Sequence, residues 1–255
     1  MLRLLRLSLG LSFLCAASAP LRAQLTENPF TIQPGKFLVE MDALTFQVDR
    51  SAPEKYDALG VANTLVSAGL TRDLDLQVGF QLFLRATYEN RGVRRTSSGL
   101  GDLTFRTKWT FWRDDANSAA AALIPQVKIP SNTGGVGNGH VEGGLILPWT
   151  ARLPGGFQAG AMLQTDVLHN PSRSRYDLQW LASGFIDRKF TRLVGVYGEV
   201  TAGISSTDSS TAGGSVGGGV TLDASENFQW DFAASRGFGA SGTDWVYTVR
   251  FSWGL

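Results

Sequence analysis

Apolar and polar residues alternate one by one along most of this chain. The clearest example is Leu74 to Arg85, where apolar side chains share one face and polar side chains share the other. Such alternation predicts a β-strand with one apolar face, because successive side chains of a strand point in opposite directions. Four further segments show the same pattern clearly, and they are Ser98 to Arg113, Tyr176 to Lys189, Phe228 to Ser235 and Asp244 to Leu255. No segment has a sustained helical period, so the sequence predicts an all-β protein.

Weaker alternation predicts strands between these segments. They are Lys36 to Val48, Ala58 to Leu70, Ala119 to Pro130, Val141 to Leu153, Phe157 to Val167, Leu193 to Ile204 and Ala212 to Ala224. The total is about twelve strands, most of them near or above the roughly 9–11 residues that a tilted membrane strand requires.

The links between the predicted strands are short and long in strict alternation. The short, turn-like links are Thr71 to Asp73, Arg113 to Ser118, Pro154 to Gly156, Thr191 to Arg192 and Ser225 to Asn227. The longer polar links are Arg50 to Asp57, Tyr88 to Ser97, Ser131 to His140, Leu168 to Arg175, Ser205 to Thr211 and Arg236 to Thr243. This order predicts a single antiparallel up-and-down transmembrane β-barrel with short periplasmic turns, longer external loops and both termini at the short-turn rim.

The N-terminus has the layout of a secretory signal peptide. Arg3 and Arg6 precede the apolar run Leu7 to Ala17, and small residues follow. The run is shorter than the about 20 residues of a permanent membrane helix, and we expect cleavage after Ala23. Residues 1–23 are therefore the predicted signal peptide and residues 24–255 the predicted outer-membrane barrel. The single cysteine, Cys15, lies in the part that is removed.

The composition limits the possible partners and favours a charged interior. Lys and Arg total 23 against 22 Asp and Glu, so nothing points to nucleic acid. About twelve strands enclose a wider lumen than the eight that side chains can fill, which favours a charged interior and an apolar exterior over a soluble barrel. If successive strands run alternately from one rim to the other, the tryptophans fall into two girdles. The girdle near the short turns contains Trp109, Trp149, Trp230 and Trp253, and the girdle near the loops contains Trp180 and Trp245.

Several stretches resemble one known family. They are Val66 to Val78, Ser98 to Trp109 with its Gly-Leu-Gly-Asp-Leu element followed by Lys-Trp, Val127 to Ser131, and the closing Trp245 to Leu255. Together they are similar to the meta-pathway phenol-degradation family of outer-membrane proteins, over nearly all of the mature chain. The resemblance implies a bacterial outer-membrane barrel associated with uptake of hydrophobic or aromatic compounds. It carries no catalytic or binding residues over to this sequence.

Charged residues on the polar strand faces are the candidate functional residues. We expect them to line the lumen: Glu40, Asp42, Asp75, Arg85, Asp102, Arg106, Lys108, Lys128, Arg152, Asp166, Asp177, Asp187, Glu199, Asp231, Asp244 and Arg250. They could shape a polar path and its ion preference, as charged rings do in channels. They could equally pair across the lumen and plug it, and the sequence leaves both alternatives open.

Enzyme and metal motifs are weak. Gly213 to Gly217 matches the Gly-x-Ser-x-Gly of a hydrolase elbow, but a strand continues where the elbow needs a helix. The isolated His140 and His169 are expected on surface loops, and the glycine-rich run Gly134 to Gly139 is expected to be a mobile external loop. We therefore expect no cofactor, metal or catalytic residue.

These observations predict an outer-membrane channel or transporter for small solutes. The alternatives are an outer-membrane lipid-modifying enzyme and a plugged structural barrel without transport. The expected partners are outer-membrane lipid, a small-molecule solute and the barrel-assembly machinery.

Overall fold

A computed structural model of the protein describes residues 26–50, 54–116, 118–170, 173–240 and 242–255. The predicted signal peptide and its cleavage site lie outside these residues. Apart from one short 3-10 turn at Pro154–Gly156, the regular structure of the described chain is β-strand.

In the described part of the chain, thirteen antiparallel strands form one closed sheet. They are β1 (Phe37–Asp49), β2 (Glu54–Thr71), β3 (Leu74–Asn90), β4 (Val93–Gly99), β5 (Leu103–Asp114), β6 (Ala119–Ile129), β7 (Glu142–Leu153), β8 (Phe157–Asn170), β9 (Arg175–Lys189), β10 (Val194–Ser205), β11 (Asp208–Ser225), β12 (Phe228–Gly239) and β13 (Trp245–Gly254). Consecutive strands pair along the chain, except that β3 pairs with both β4 and β5, and β1 pairs with β13. Closure removes the exposed edges that an open sheet would present.

Strands β4 and β5 share one position in the barrel wall. β3 pairs with β4 along its loop-end half and with β5 along its turn-end half, in a single continuous register. The predicted strand Ser98 to Arg113 is therefore interrupted at residues 100–102, between β4 and β5. The wall has twelve positions and one extra strand, which confirms the predicted barrel of about twelve strands.

The loop-end links are shorter than predicted, because the strands run further. The predicted link Tyr88 to Ser97 forms the hairpin between β3 and β4, which turns at Arg91 and Gly92. The predicted link Ser205 to Thr211 is reduced to the turn between β10 and β11. The link between β6 and β7 is the exception: it covers residues 130–141, two more than predicted, and has no regular structure.

Pairing is interrupted on four neighbouring wall positions, at Ala43, Ala62, Leu82 and Gly101. These residues form the bulge line. A bulge adds one residue and reverses which face the following side chains occupy. Asp42 and Thr45 show the reversal on β1, since they lie three residues apart and are only 2% and 1% exposed.

The two faces of the wall differ in polarity, as the alternation predicts. Buried charged and hydroxyl side chains point inward on most strands, whereas large apolar side chains point outward and are exposed. The outward set includes Trp109, Trp149 and Trp253 toward the turn end and Trp180 and Trp245 toward the loop end. A small apolar cluster also faces inward, formed by Ile124, Ile146 and Met162 with Leu181 packed against it. Among the described residues, no helix has the length and apolar character to cross a membrane.

Candidate functional site

The lumen is occupied by the start of the described chain. Residues 26–35, here called the lumen segment, precede β1 and run inside the barrel. At its deep end, the Thr26 backbone N–H and hydroxyl both donate to Glu199 on β10 at 2.7 Å. The same hydroxyl lies 2.6 Å from that of Ser183 on β9. These contacts place the N-terminal end of the lumen segment against β9 and β10, across the barrel from β1, the strand that follows the segment.

An ion pair anchors the next residue. Glu27 lies 2.8 Å from the Arg106 guanidinium on β5, and the two side chains are 7% and 1% exposed. The Glu27 N–H points at the Met162 sulfur at 3.5 Å. Both charges are removed from water, so each depends on the other and on nearby polar groups for compensation.

Side chains of β3 and β5 hold the remainder of the lumen segment. The Thr110 hydroxyl donates to the Pro29 carbonyl at 2.6 Å, and the Lys108 ammonium donates to the Phe30 carbonyl at 3.2 Å. The Ile32 N–H donates to the Asp75 carboxylate at 3.1 Å. Irregular backbone inside a barrel needs such partners, because its polar groups have no strand neighbours.

A cavity of about 390 Å³ lies at the turn end between the lumen segment and the barrel wall, where β7 to β13 and β1 contribute most of its lining. On its wall, Arg250 donates to Asp42 at 2.6 Å. The Tyr197 hydroxyl reaches the two Asp231 carboxylate oxygens at 3.1 and 3.2 Å. Phe30, Phe185 and other apolar side chains share the lining with these charged groups, so the cavity is amphipathic.

Glycine 219 makes room for the tyrosine. A Cβ atom on Gly219 would lie 2.7 Å from the Tyr197 ring and 2.7 Å from the Phe232 carbonyl. Only a residue without a side chain permits this close approach. The glycine-rich β11 therefore widens the lumen beside Tyr197.

A second polar cluster closes the loop end. Lys128 forms ion pairs with Asp102 at 3.2 Å and with Glu142 at 2.7 Å, and all three side chains are buried. The link 130–141, here called the rim loop, joins this cluster through two of its side chains. Asn132 donates to Asp102 and Asn138 accepts from Lys128.

The rim loop also packs on the junction between β4 and β5. Thr133 donates its backbone N–H to the Leu100 carbonyl at 3.1 Å, and its hydroxyl accepts the Leu100 N–H at 2.9 Å. A Cβ atom on Gly99 would lie 2.2 Å from the Thr133 carbonyl. The mobile loop expected from the glycine-rich run is thus a packed segment with specific partners.

The structure brings most of the sequence-predicted site residues to the inner wall. The buried ones are Asp42, Asp75, Asp102, Arg106, Lys108, Lys128, Asp177, Glu199, Asp231 and Arg250. Glu40 and Asp187 line the cavity, and Asp166 accepts hydrogen bonds from Gln126 and Gln164.

Three predicted residues lie elsewhere. Arg152 is exposed near the turn end of β7. Asp244 lies at the loop-end rim, where it accepts the Arg50 N–H at 2.8 Å. Arg85 departs from the prediction, because it lies beyond the bulge line and shares the outward face with Leu59.

Sequence reasoning missed three site residues. Glu27 lies in a segment with no alternation, Glu142 lies next to a predicted loop, and Tyr197 is not charged. Proline and polar residues just before the first strand were the only signal for the lumen segment.

The hydrolase motif is not assembled. Ser215 lies within β11, and its hydroxyl is 2.9 Å from that of Thr201. His140 and His169 stack on each other at the loop end with ring centroids 3.4 Å apart. In the described part of the chain, no histidine is a hydrogen-bond partner of Ser215, and no group of three or more potential metal ligands occurs.

Comparison with known proteins gives one family match. The model of the family described as "Putative MetA-pathway of phenol degradation" matches residues 22–255. No curated protein sequence matches the chain.

Solved structures share the fold. The COG4313 outer membrane channel from Pseudomonas putida F1 has a TM-score of 0.70 at 11% identity, covering 91% of this chain and 100% of that one. The transport unit of the autotransporter AIDA-I from Escherichia coli has a TM-score of 0.60 at 11% identity, covering 97% of both chains. The translocator domain of the autotransporter NalP from Neisseria meningitidis has a TM-score of 0.55 at 8% identity, covering 87% and 89%.

Proposed function

The chain belongs to the family of the MetA pathway of phenol degradation, and from this premise we propose that it is a bacterial outer-membrane channel for small solutes. The single observation that carries the proposal is the lumen itself. A charged, hydrogen-bonded inner wall surrounds a cavity of about 390 Å³, while the outer wall is apolar. The short turns then face the periplasm and the loops face outside.

Hydrophobic or aromatic compounds are the proposed solutes. The cavity supports this class because Phe30, Phe185, Ile32 and Leu38 line it beside the charged groups. Such a lining accommodates an apolar ring with a small number of polar contacts. The family description, which names phenol degradation, agrees with this class of solute, and the name of the Pseudomonas putida structure, an outer membrane channel, agrees with a channel.

A barrel without transport is the second candidate. The lumen segment and the Lys128 cluster favour it, because they obstruct the path at two levels. The segment is nevertheless held by individual hydrogen bonds and an ion pair, and it is not paired as a strand of the wall. We infer that displacement of the segment opens the path.

Planar-bilayer recording of the refolded mature chain tests the two candidates. A channel shows discrete conductance steps, and added aromatic solute that enters the cavity reduces the current. Complete absence of steps, both in the unmodified protein and in a variant shortened by residues 24–35, contradicts the channel and supports the structural barrel. Liposomes loaded with an aromatic solute provide an independent measure of its flux.

Two further proposals accompany the channel. We infer that residues 1–23 are removed as a signal peptide, since Thr26 lies deep in the lumen and only Gln24 and Leu25 then precede it. N-terminal sequencing of protein from the membrane fraction tests this cleavage site. Outer-membrane lipid and the barrel-assembly machinery are the expected partners in the cell.

A further inference from the structure

The bulge line places an unexpected arginine on the outer surface. On the turn-end side of the bulge line, the inward side chains of β3 belong to odd-numbered residues, as the burial of Asp75 and Gln77 shows. Above the line the faces are exchanged, so Arg85 points outward and is exposed. It pairs across the strands with Leu59 and Ser98.

This position lies at the end of the apolar outer band. The outward residues directly below Arg85 and Ser98 are Phe83 and Leu100, and both are exposed and apolar. Above them the outward face of β3 and β4 carries no large apolar side chain until the hairpin turns. In a membrane barrel this transition marks the level of the lipid headgroups.

Hydroxyl and guanidinium groups lie together above the transition. They form the hairpin patch, which consists of Arg85, Thr87, Arg94, Thr96 and Ser98. Arg85 lies opposite Ser98, and Thr87 lies opposite Thr96 with their hydroxyl oxygens 3.1 Å apart. Arg94 lies on the same face of β4, two residues before Thr96 and nearer to the hairpin turn. The two arginines thus flank the exposed Thr96 and Ser98, while Thr87 is only 9% exposed and holds its hydroxyl against that of Thr96.

The acidic neighbours of the patch already have other partners. Glu89 forms an ion pair with Lys55 at 3.0 Å, and Asp57 forms one with Arg50 at 2.6 Å. Within the described residues, no carboxylate lies within 4.0 Å of the Arg85 or Arg94 side-chain nitrogens in an ion pair. Glu89 also lies directly opposite Arg94 in the strand pairing, so this one carboxylate is shared between Lys55 and Arg94. Arg85 has the uncharged Leu59 and Ser98 as its cross-strand neighbours, so the patch with its neighbours keeps an excess of positive charge.

We propose that the hairpin patch binds a phosphate group of a phosphorylated glycolipid in the membrane leaflet at the loop end. Guanidinium groups bind phosphate through parallel hydrogen bonds, and hydroxyls supply further donors. The apolar side chains Phe83 and Leu100 lie directly below, where the acyl chains of such a lipid would pack. The proposal rests on the proposed outer-membrane location, but it does not depend on an open lumen.

Lipid binding to the refolded mature chain tests the proposal. Native mass spectrometry in neutral detergent gives the affinity for diphosphorylated lipid A, with dephosphorylated lipid A and inorganic phosphate as the other two probes. We expect the diphosphorylated lipid to bind and the dephosphorylated lipid to bind far more weakly. The double variant Arg85→Gln/Arg94→Gln should bind about thirtyfold more weakly, from about 1 kcal/mol for each arginine near a lipid surface.

Arg95→Gln is the matched control. Arg95 is on the same strand as Arg94 but on the opposite face, across from Tyr88, so its loss should leave the affinity within about twofold. Equal weakening in the control and the double variant overturns the proposal. Competition by inorganic phosphate at the same concentration as the lipid also overturns it, since the site would then take free phosphate. If the double variant does not fold, Arg85→Gln alone should bind about fivefold more weakly.

The outcomes separate this proposal from the channel. Conductance through the lumen should be the same in Arg85→Gln/Arg94→Gln and in the unmodified protein. Loss of lipid binding by the double variant with unchanged conductance supports the proposed lipid site. Conductance by the unmodified protein without any binding of lipid A contradicts the lipid site and is compatible with the channel.

Discussion

Glu27 of the lumen segment and Arg106 of β5 form a buried ion pair at 2.8 Å, which joins the irregular start of the chain to the barrel wall. A buried pair is costly to break, because the remaining charge loses its closest opposite charge inside the protein. The position of the lumen segment, and with it the state of the lumen, therefore depends strongly on this contact.

Glu27→Gln should loosen the lumen segment. The substitution removes the carboxylate charge that lies 2.8 Å from the Arg106 guanidinium, so we expect a larger conductance or more frequent opening in planar bilayers. Asn28→Ala is the matched control, since among the described residues the Asn28 side chain has one hydrogen bond, from the Phe30 N–H of the same segment. Identical currents in Glu27→Gln and Asn28→Ala would show that this ion pair does not hold the segment in place.

The Asp42–Arg250 pair should show strong coupling between its partners. Arg250→Met removes one of two buried charges that lie 2.6 Å apart, and should lower the free energy of unfolding by about 3–5 kcal/mol. The double variant Asp42→Leu/Arg250→Met should recover most of this loss, because no charge of the pair remains. Urea unfolding of the refolded barrel in lipid measures all three variants. Additive losses in the double variant contradict the coupling.

Gly219→Ala should disturb the wall of the cavity. The new methyl group would lie 2.7 Å from the Tyr197 ring, so the ring must move away from Asp231. We expect a loss of about 1–3 kcal/mol in unfolding free energy. Gly184→Ala is a suitable control, because its methyl group would meet only the Gly160 carbonyl at 3.5 Å. An unfolding free energy equal to that of Gly184→Ala would show that the wall around Tyr197 accommodates the extra methyl group without cost.

Lys128→Met should release the rim loop. The substitution leaves Asp102 and Glu142 without their shared ammonium, and Asn138 loses the group that donates to it. We expect faster proteolysis within residues 130–141 and a higher conductance. Lys55→Met removes a lysine from an exposed pair with Glu89, and should change neither property. Unchanged cleavage in Lys128→Met would show that the backbone contacts of Thr133 suffice.

Alternation by itself determined the strands, the barrel and the polarity of its two faces. Residues such as Asp75, Arg106 and Arg250 lie on the inner wall because a strand offers only two faces and the apolar one must meet lipid. The two rims followed from the alternation of short and long links. These features depend on the order of neighbouring residues or on the lengths of strands and links, so they can be predicted from a single sequence.

Tertiary structure alone decided the rest. The bulge line moved Arg85 to the outer face, because one unpaired residue reverses all the side chains that follow it, and Ala43, Ala62 and Leu82 carry no distinctive signal. The lumen segment found its place through contacts between residues far apart in sequence, such as Thr26 with Glu199. Hydrogen bonds and ion pairs of this kind depend on the closed barrel, which brings together groups whose proximity no local pattern records.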